Sequence, residues 1–172
     1  MSEYLVISSS LRPKSLSRQL AEQLARDYAS LGVTADLVDL RDFPLPICDG
    51  DTAYSDPNLA RLEPRIEAAR VIALATPVYN FDASAAAKNL VELTGSAWEN
   101  KIVAFLCAAG GSASYMSVMS FANSLMLDFR CVIVPRFVYA TGADFSNGTL
   151  SNAEIAGRIR MLAEESMRLR RE

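Results

Sequence analysis

The stretch Val71–Thr76 reads VIALAT and is apolar at every position except its last. A second run of the same kind, Ile102–Cys107 (IVAFLC), follows one helical segment later. Continuous apolar runs without alternation are typical of strands that are buried on both faces of a parallel sheet. The segment between the two runs, Ser84–Thr94, has a helical pattern and is closed by Gly95. The chain is therefore predicted to be an α/β protein with two central parallel strands.

Strand and helix patterns alternate outward from these two runs. Further strands are predicted at Tyr4–Ser8, Ala35–Leu40 and Cys131–Val134, with a continuation at Phe137–Ala140 beyond Pro135. Further helices are predicted at Ser15–Leu31, at Ser114–Phe129, and at Ser151–Arg171 with Ser151 and Glu154 as a capping box. Another helix is predicted after Asp56 as N-cap, with a kink or restart at Pro64 near Glu63. The resulting order is β-α-β-α-β-α-β-α-β-α.

This order leaves few topologies, because crossovers between parallel strands are right-handed. The commonest topology at this length is a five-stranded parallel sheet of order 2-1-3-4-5, covered by helices on both faces as a three-layer sandwich. The 172 residues suit one domain. Ligands bind such sheets beyond the carboxyl ends of the strands, at the switch point between strands 1 and 3. The loops that follow Ser8, Thr76 and Cys107 are therefore the candidate binding loops.

The composition excludes several classes of protein. The chain has no histidine, which excludes His-based triads, imidazole general bases and most zinc enzymes. Its formal net charge of -3 argues against a nucleic-acid partner. The three cysteines lack metal-clip spacing, and the acidic loop from Asp39 to Asp51 is expected to be solvated, so no metal site is expected. Since no signal peptide or membrane span is visible, a cytoplasmic protein without a membrane partner is expected.

The first candidate loop runs from Ser8 into the helix at Ser15 and contains no glycine. A helix start offers unpaired N–H groups and the positive end of the helix dipole. The hydroxyls of Ser10, Ser15 and Ser17 add donors, and Arg12 adds a charged fork, so the loop suits a terminal phosphate. The alternative is that Ser15 is only an N-cap and that the other serines solvate the loop.

The other two loops suit a planar ligand. The segment from Thr76 to Asp82 carries Tyr79 and Phe81, which can lie against the face of a heterocycle or, alternatively, pack under the following helix. The segment from Ala108 to Ser114 contains Gly110 and Gly111, which permit close approach of a ligand or simply form a turn.

These segments together resemble the NAD(P)H-dependent FMN reductase family, which has the flavodoxin-like fold. The resemblance covers the chain from about Tyr4 to Ala143. It rests on Ser10-Leu11-Arg12 followed by Ser15, on Pro77-Val78-Tyr79-Asn80, on Lys88-Asn89, and on Gly110-Gly111. One departure is Ser9, where the family usually has glycine, and another is Val78, where many members have glutamate.

The resemblance implies that FMN is bound and that NADPH or NADH is the electron donor. It implies that the first loop holds the FMN phosphate, that Pro77 to Phe81 line the isoalloxazine, and that the glycines approach its other edge. The candidate cofactor-binding residues are Ser10, Arg12, Ser15, Leu16, Ser17, Pro77, Val78, Tyr79, Asn80, Phe81, Ala109, Gly110 and Gly111. No side chain is assigned as a catalytic acid or base, since the flavin carries the chemistry.

Two classes of function remain open from the sequence. The first is an FMN-dependent oxidoreductase that passes electrons from NAD(P)H to FMN, quinones, azo compounds or similar small acceptors. The second is a non-catalytic flavodoxin-like electron carrier or flavin-binding protein. The predicted helix Ser114–Phe129 is apolar around more of its circumference than one sheet can cover, which predicts a homodimer or a homotetramer.

Overall fold

A computed structural model describes residues 2–170 of the chain. The described residues form nine strands, which are β1 (Tyr4–Ser8), β2 (Asp36–Asp39), β3 (Val71–Tyr79), β4 (Asp82–Ala83), β5 (Ile102–Ala109), β6 (Val132–Ile133), β7 (Val138–Thr141), β8 (Phe145–Ser146) and β9 (Thr149–Leu150). They also form five α-helices, which are α1 (Leu16–Ser30), α2 (Leu59–Ala68), α3 (Ala85–Thr94), α4 (Met119–Phe129) and α5 (Ala153–Arg168).

The main sheet confirms the predicted fold class. Its parallel strands follow the order β2-β1-β3-β5-β6, with β7 also paired to β5. This is the predicted order 2-1-3-4-5, except that the fifth position holds two short strands on either side of Pro135 rather than one. The short strand β4 pairs antiparallel with β3, and β8 and β9 form a separate hairpin; neither was predicted.

The central strands are covered on both faces, as their continuous apolar sequence predicts. Side chains alternate along a strand, so Ile72 and Leu74 of β3 join one core cluster while Val71 and Ala73 join the other. Helices α2, α3 and α4 supply the first cluster, and α1 and α5 supply the second. The carboxyl ends of β1, β3 and β5 consequently meet at one edge of the sheet, between the two helical layers.

Helix α2 departs from the prediction at both of its expected signals. It runs without a break through Pro64, because Leu62 and Ile66 on either side are buried against the sheet and hold the helix together. Asp56 is not the N-cap, since the helix begins after Asn58 and the Asp56 carboxylate accepts a hydrogen bond from the Asn58 N–H at 2.8 Å. The helix therefore does not restart near Glu63.

Helices α4 and α5 both begin later than predicted. Helix α4 begins at Met119, and residues Ser112–Ser114 form a single 3₁₀ turn, because Tyr115 packs on the rings of Phe137 and Tyr139 at centroid distances of 4.9 and 5.4 Å.

The predicted capping box at the start of α5 is wrong. Asn152 is the cap, and its side chain accepts from the Glu154 N–H at 2.9 Å. The Ser151 N–H instead bonds to the Asp144 carbonyl. Arg171, the predicted end of α5, lies outside the described residues. Within residues 2–170 no helix is long and apolar enough to cross a membrane.

Asp144 anchors the segment that connects β7 to α5. Its carboxylate accepts hydrogen bonds from the Thr141 N–H at 2.7 Å and from the Asn152 amide at 2.6 Å, and its carbonyl accepts from the N–H groups of residues 151 and 152. The bond from Thr141 is the main cause that holds the pKa of Asp144 below its usual range. The β8–β9 hairpin is therefore fixed at its base.

Replacing Asp144 with Asn is expected to destabilise the protein at neutral pH by about 1–3 kcal/mol, because hydrogen bonds to a charged group are lost. A lowered pKa gives stability that is present above the unfolded value and disappears as the pH falls through the folded value. The difference between wild type and Asp144→Asn should therefore shrink below about pH 4. Urea unfolding at neutral pH and below about pH 4 measures the free energy of unfolding of both proteins. Asp128→Asn, at an exposed position, is the control. A difference between wild type and Asp144→Asn that does not change with pH would contradict this role of Asp144.

Candidate active site

The loop between β1 and α1 gathers three buried hydroxyls at a helix N-terminus. Ser10, Ser15 and Ser17 are all less than a tenth exposed. The Ser15 hydroxyl caps α1 by accepting from the Arg18 N–H at 3.2 Å, and it lies 3.0 Å from the Ser17 hydroxyl. Ser15 is therefore an N-cap, as the alternative interpretation holds, and also one member of a cluster of donors beside the helix dipole.

Arg12 differs from the other arginines around this loop. Arg18 and Arg41 both bind the Asp39 carboxylate, at 3.1 and 2.7 Å. The exposed guanidinium of Arg12 has no ion pair within residues 2–170, and the backbone N–H of Arg12 donates to the Ser10 hydroxyl at 3.3 Å. One cation without a carboxylate partner beside several hydroxyl donors is an arrangement that suits a bound anion.

The second candidate loop is in fact the end of a strand and a tight hairpin. Strand β3 continues through Pro77 and Val78 to Tyr79, three residues beyond the predicted end. Asn80 and Phe81 both have left-handed backbone, with φ of 50° and 66°, so they form a two-residue turn into β4. This turn leaves Tyr79 and Phe81 54% and 62% exposed, which rules out their packing under α3.

Three buried hydroxyls join the first loop to this hairpin. The hydroxyl of Ser84, at the start of α3, lies 3.2 Å from the hydroxyls of both Ser9 and Thr76. Thr76 also accepts from the Ser84 N–H at 3.1 Å, and Ser9 donates to the Ala75 carbonyl at 3.1 Å. Because all three side chains are less than 5% exposed, water cannot replace these bonds. The hydroxyl cluster fixes the two loops relative to each other.

The third loop is held from behind by a tyrosine. The Tyr139 hydroxyl donates to the Gly111 carbonyl at 2.5 Å and lies 2.8 Å from the Ser114 hydroxyl. A Cβ atom added at Gly110 or Gly111 would meet nothing within 4 Å, so open space lies in front of both residues. A ligand can therefore approach the backbone here without displacing a side chain.

One cavity of about 700 Å³ lies among the three loops, a volume typical of ligand pockets. It is lined by eleven of the thirteen candidate residues, namely Ser10, Arg12, Ser15, Leu16, Ser17, Pro77, Val78, Tyr79, Asn80, Ala109 and Gly110. Phe81 and Gly111 are outside the lining, and Ala108 and Gly142 belong to it. Among residues 2–170, no carboxylate lines this strand-end cavity.

The site contains neither a reactive thiol nor a cluster of metal ligands among residues 2–170. Cys107, near the end of β5, is fully buried, and burial raises the pKa of its thiol to about 12. The thiol is therefore inert as a nucleophile. Residues 2–170 contain no cluster of three His, Cys, Asp or Glu side chains that could hold a metal ion. The cavity thus offers hydroxyls, one arginine and flat backbone surfaces.

Comparison with known proteins agrees with this geometry. The sequence model of a family described as NADPH-dependent FMN reductase matches residues 3–145. The chain belongs to this family. It is therefore an oxidoreductase of the FMN reductase family, with FMN as the cofactor and NAD(P)H as the electron donor.

Individual relatives of this FMN reductase are distant. It is 26% identical over 137 residues to an NAD(P)H-dependent FAD/FMN reductase of Geobacillus thermodenitrificans, covering 77% of this chain and 74% of the relative. It is 29% identical over 148 residues to the NADH-dependent FMN reductase SfnF of Pseudomonas fluorescens, covering 83% and 78%. The solved structure of the NADH:FMN oxidoreductase EmoB in its apo form superposes with a TM-score of 0.81 at 18% identity, covering 100% and 92% of the two chains, and shows the same fold.

Replacing Thr76 with Val is expected to lower the free energy of unfolding by about 1–3 kcal/mol, because the buried Ser84 N–H loses its acceptor. Thr76→Ser keeps the hydroxyl and loses only a methyl group, so it should cost about 1 kcal/mol or less. Urea unfolding compares the two variants. Equal destabilisation by both would mean that packing of the side chain, rather than the hydroxyl cluster, matters here.

Proposed function

We propose that the strand-end cavity holds FMN and that the protein transfers electrons from NAD(P)H through it to small, planar acceptors such as free FMN, quinones or azo compounds. The observation that carries this proposal is the joining, in one cavity, of an anion-binding loop to a flat, uncharged wall. A phosphorylated planar heterocycle has the same two parts, a dianion at one end and an aromatic ring at the other.

In this proposal the loop before α1 binds the phosphate of FMN. The hydroxyls of Ser10, Ser15 and Ser17 would donate to phosphate oxygens, the bond between Ser15 and Ser17 giving way to them, and the Arg12 guanidinium would supply a charge-assisted pair. The helix dipole of α1 adds a favourable field at the same point. The absence of any carboxylate from the cavity lining fits this assignment, because a carboxylate would repel the phosphate.

In this proposal β3, β5 and the segments that follow them bind the isoalloxazine ring of FMN. Pro77, Val78 and Asn80 line the cavity from β3 and the turn after it, and Ala108 to Gly110 line it from the neighbouring β5 and the loop after it. FMN, when bound, takes up a hydride from NAD(P)H and gives the electrons to an acceptor. The chain's own residues orient the ring, keep its polar edge against backbone groups and leave one face open beside exposed Tyr79.

The acceptor class follows from this open face. No charged side chain except Arg12 lines the cavity, and Arg12 belongs to the phosphate end. A flat aromatic acceptor can therefore stack where the nicotinamide stacked before it, with little desolvation of fixed charges.

Anaerobic mixing of the FMN-loaded protein with NADH or NADPH tests the activity. We expect the flavin colour to bleach and to return when free FMN, a quinone or an azo dye is added. Protein stripped of FMN is the control. Bound FMN that neither nicotinamide reduces would contradict the enzyme and favour the electron carrier.

Replacing Arg12 with Met is expected to weaken FMN about tenfold or more, since one charge-assisted bond to phosphate is lost. Riboflavin, which lacks the phosphate, should bind the variant and the wild type alike. Arg61→Met on α2, outside the cavity lining, is the matched control. Fluorescence quenching measures each dissociation constant, and an unchanged value for FMN would remove the first loop from the site.

We also propose that the protein works as a homodimer or a homotetramer. An exposed apolar patch extends from the glycine loop along α4 and consists of Tyr115, Met116, Met119, Met126 and Leu127, each more than a third exposed. Leu125, on the same helix, is fully buried in the core of the protomer and is not part of this patch. A partner on this α4 patch would stand next to the open face of the ring.

Replacing Met119 with Glu is expected to dissociate this assembly, because it would bury an unpaired charge at the interface. Leu37→Glu, on the exposed edge strand β2 at the opposite side of the sheet, is the control and should leave the mass unchanged. Light scattering at micromolar concentration decides the question. A wild-type mass equal to one 18.7 kDa chain would contradict the proposal.

A further inference from the structure

The glycine loop after β5, residues 110–112, presents backbone N–H groups that nothing in the described chain uses. Within residues 2–170, the N–H groups of Gly110, Gly111 and Ser112 donate no hydrogen bond. All three residues are exposed, so these donors are open to water or to a ligand. Gly110 also lines the strand-end cavity. The loop therefore brings free donors to the part of the cavity where the flavin ring is proposed to lie.

Tyr139, on β7, fixes the direction in which this loop points. Its hydroxyl donates to the Gly111 carbonyl at 2.5 Å. The peptide that joins Gly111 to Ser112 is trans, and in a trans peptide the carbonyl and the N–H point in opposite directions. The bond from Tyr139 therefore turns the Ser112 N–H away from the buried side of the loop and toward its open side.

The Tyr139 side chain is itself held in place. It is 8% exposed, belongs to a core cluster, and stands opposite Cys107 of β5. The ring of Tyr115 packs against it at a centroid distance of 5.4 Å. Because Tyr139 gives its only proton to Gly111, the Ser114 hydroxyl at 2.8 Å must donate to the Tyr139 oxygen. A fixed ring with a directed hydroxyl can thus hold one orientation of a loop whose glycines have no side chains to pack.

We infer that Tyr139 is a positioning residue for the flavin ring, because it holds the Gly111 carbonyl and so aims the free N–H groups of the glycine loop at the polar edge of the isoalloxazine. This inference rests on the proposed function, since it takes the ring to lie beside Gly110. Reduction adds negative charge to the ring, and N–H donors bind a charged acceptor about twice as strongly as a neutral one. Tyr139 therefore favours the reduced ring and raises the reduction potential of bound FMN.

Tyr139→Phe removes the hydroxyl and keeps the ring, so it tests this role with little change in packing. We expect oxidised FMN and riboflavin to bind about threefold more weakly, and reduced FMN about thirtyfold more weakly. This tenfold difference corresponds to a potential of bound FMN that is about 30 mV lower than in wild type, for a two-electron couple. Fluorescence quenching measures the affinities of the oxidised flavins, and anaerobic equilibration with a reference dye measures the potential.

Tyr28→Phe is the matched control. The Tyr28 hydroxyl is also buried and lies 2.6 Å from the Ser166 hydroxyl, between α1 and α5 and outside the cavity lining. Urea unfolding shows how much stability each variant loses with its hydroxyl. Ser114→Ala is a second test, because it removes the donor to Tyr139 but leaves the bond to Gly111. It should lower the potential by less than Tyr139→Phe does.

The possible outcomes separate this inference from the proposal on which it rests. A lower potential and weaker riboflavin binding in Tyr139→Phe, but not in Tyr28→Phe, support it. A Tyr139→Phe protein that is less stable but keeps the wild-type potential and flavin affinities would overturn it, as would equal shifts of potential in both variants. Weaker FMN binding with unchanged riboflavin binding would overturn it as well, because the loss would then lie at the phosphate. Failure of the wild-type protein to bind FMN would instead contradict the proposed function.

Discussion

The buried hydroxyl cluster of Ser9, Thr76 and Ser84 is the constraint on which the rest of the site depends. Parallel pairing brings the carboxyl ends of β1 and β3 to one edge of the sheet, but the two connections that follow point toward different parts of the ligand. The cluster locks these connections together through bonds that water cannot reach. The distance between the loop before α1 and the β3–β4 hairpin, which we propose to hold the phosphate and the ring of FMN, is thereby set before any ligand arrives.

The distribution of charge around the site follows a similar logic. Asp39 binds Arg18 and Arg41, and so removes two arginines from competition for an anion near α1. Arg12 and Lys14, which stand on either side of Pro13, keep their charges unpaired within residues 2–170. Arg12 lines the strand-end cavity, and Lys14 lines a separate cleft beside α1. The loop before α1 therefore keeps two cations available to an anion.

The fold and most of the site could be predicted because they depend on local patterns. Unbroken apolar runs marked β3 and β5, and their connections had to meet at one edge whatever the details. The missed features depend on contacts between distant residues. Helix α4 starts late because Tyr115 packs on Phe137 and Tyr139, and α2 survives Pro64 because its neighbours are buried against the sheet. Phe81 does not line the cavity, because Asn80 and Phe81 form a tight two-residue turn where the sequence suggested a longer loop. Gly142 could have been found by treating the end of the fifth strand as a further binding loop.

Amide NMR spectra of the apo-protein titrated with FMN test the central claim most directly. The account predicts saturation at one FMN per chain, with the N–H signals of Ser10, Ser17, Asn80 and Gly110 shifting along the same binding curve. These residues belong to three separate loops that meet only in the folded protein. Signals from Asp128, near the end of α4, and from Leu169, just after the end of α5, should stay in place. Shifts confined to one loop, or centred instead on the apolar groove beside Phe43 and Ile47, would contradict the account.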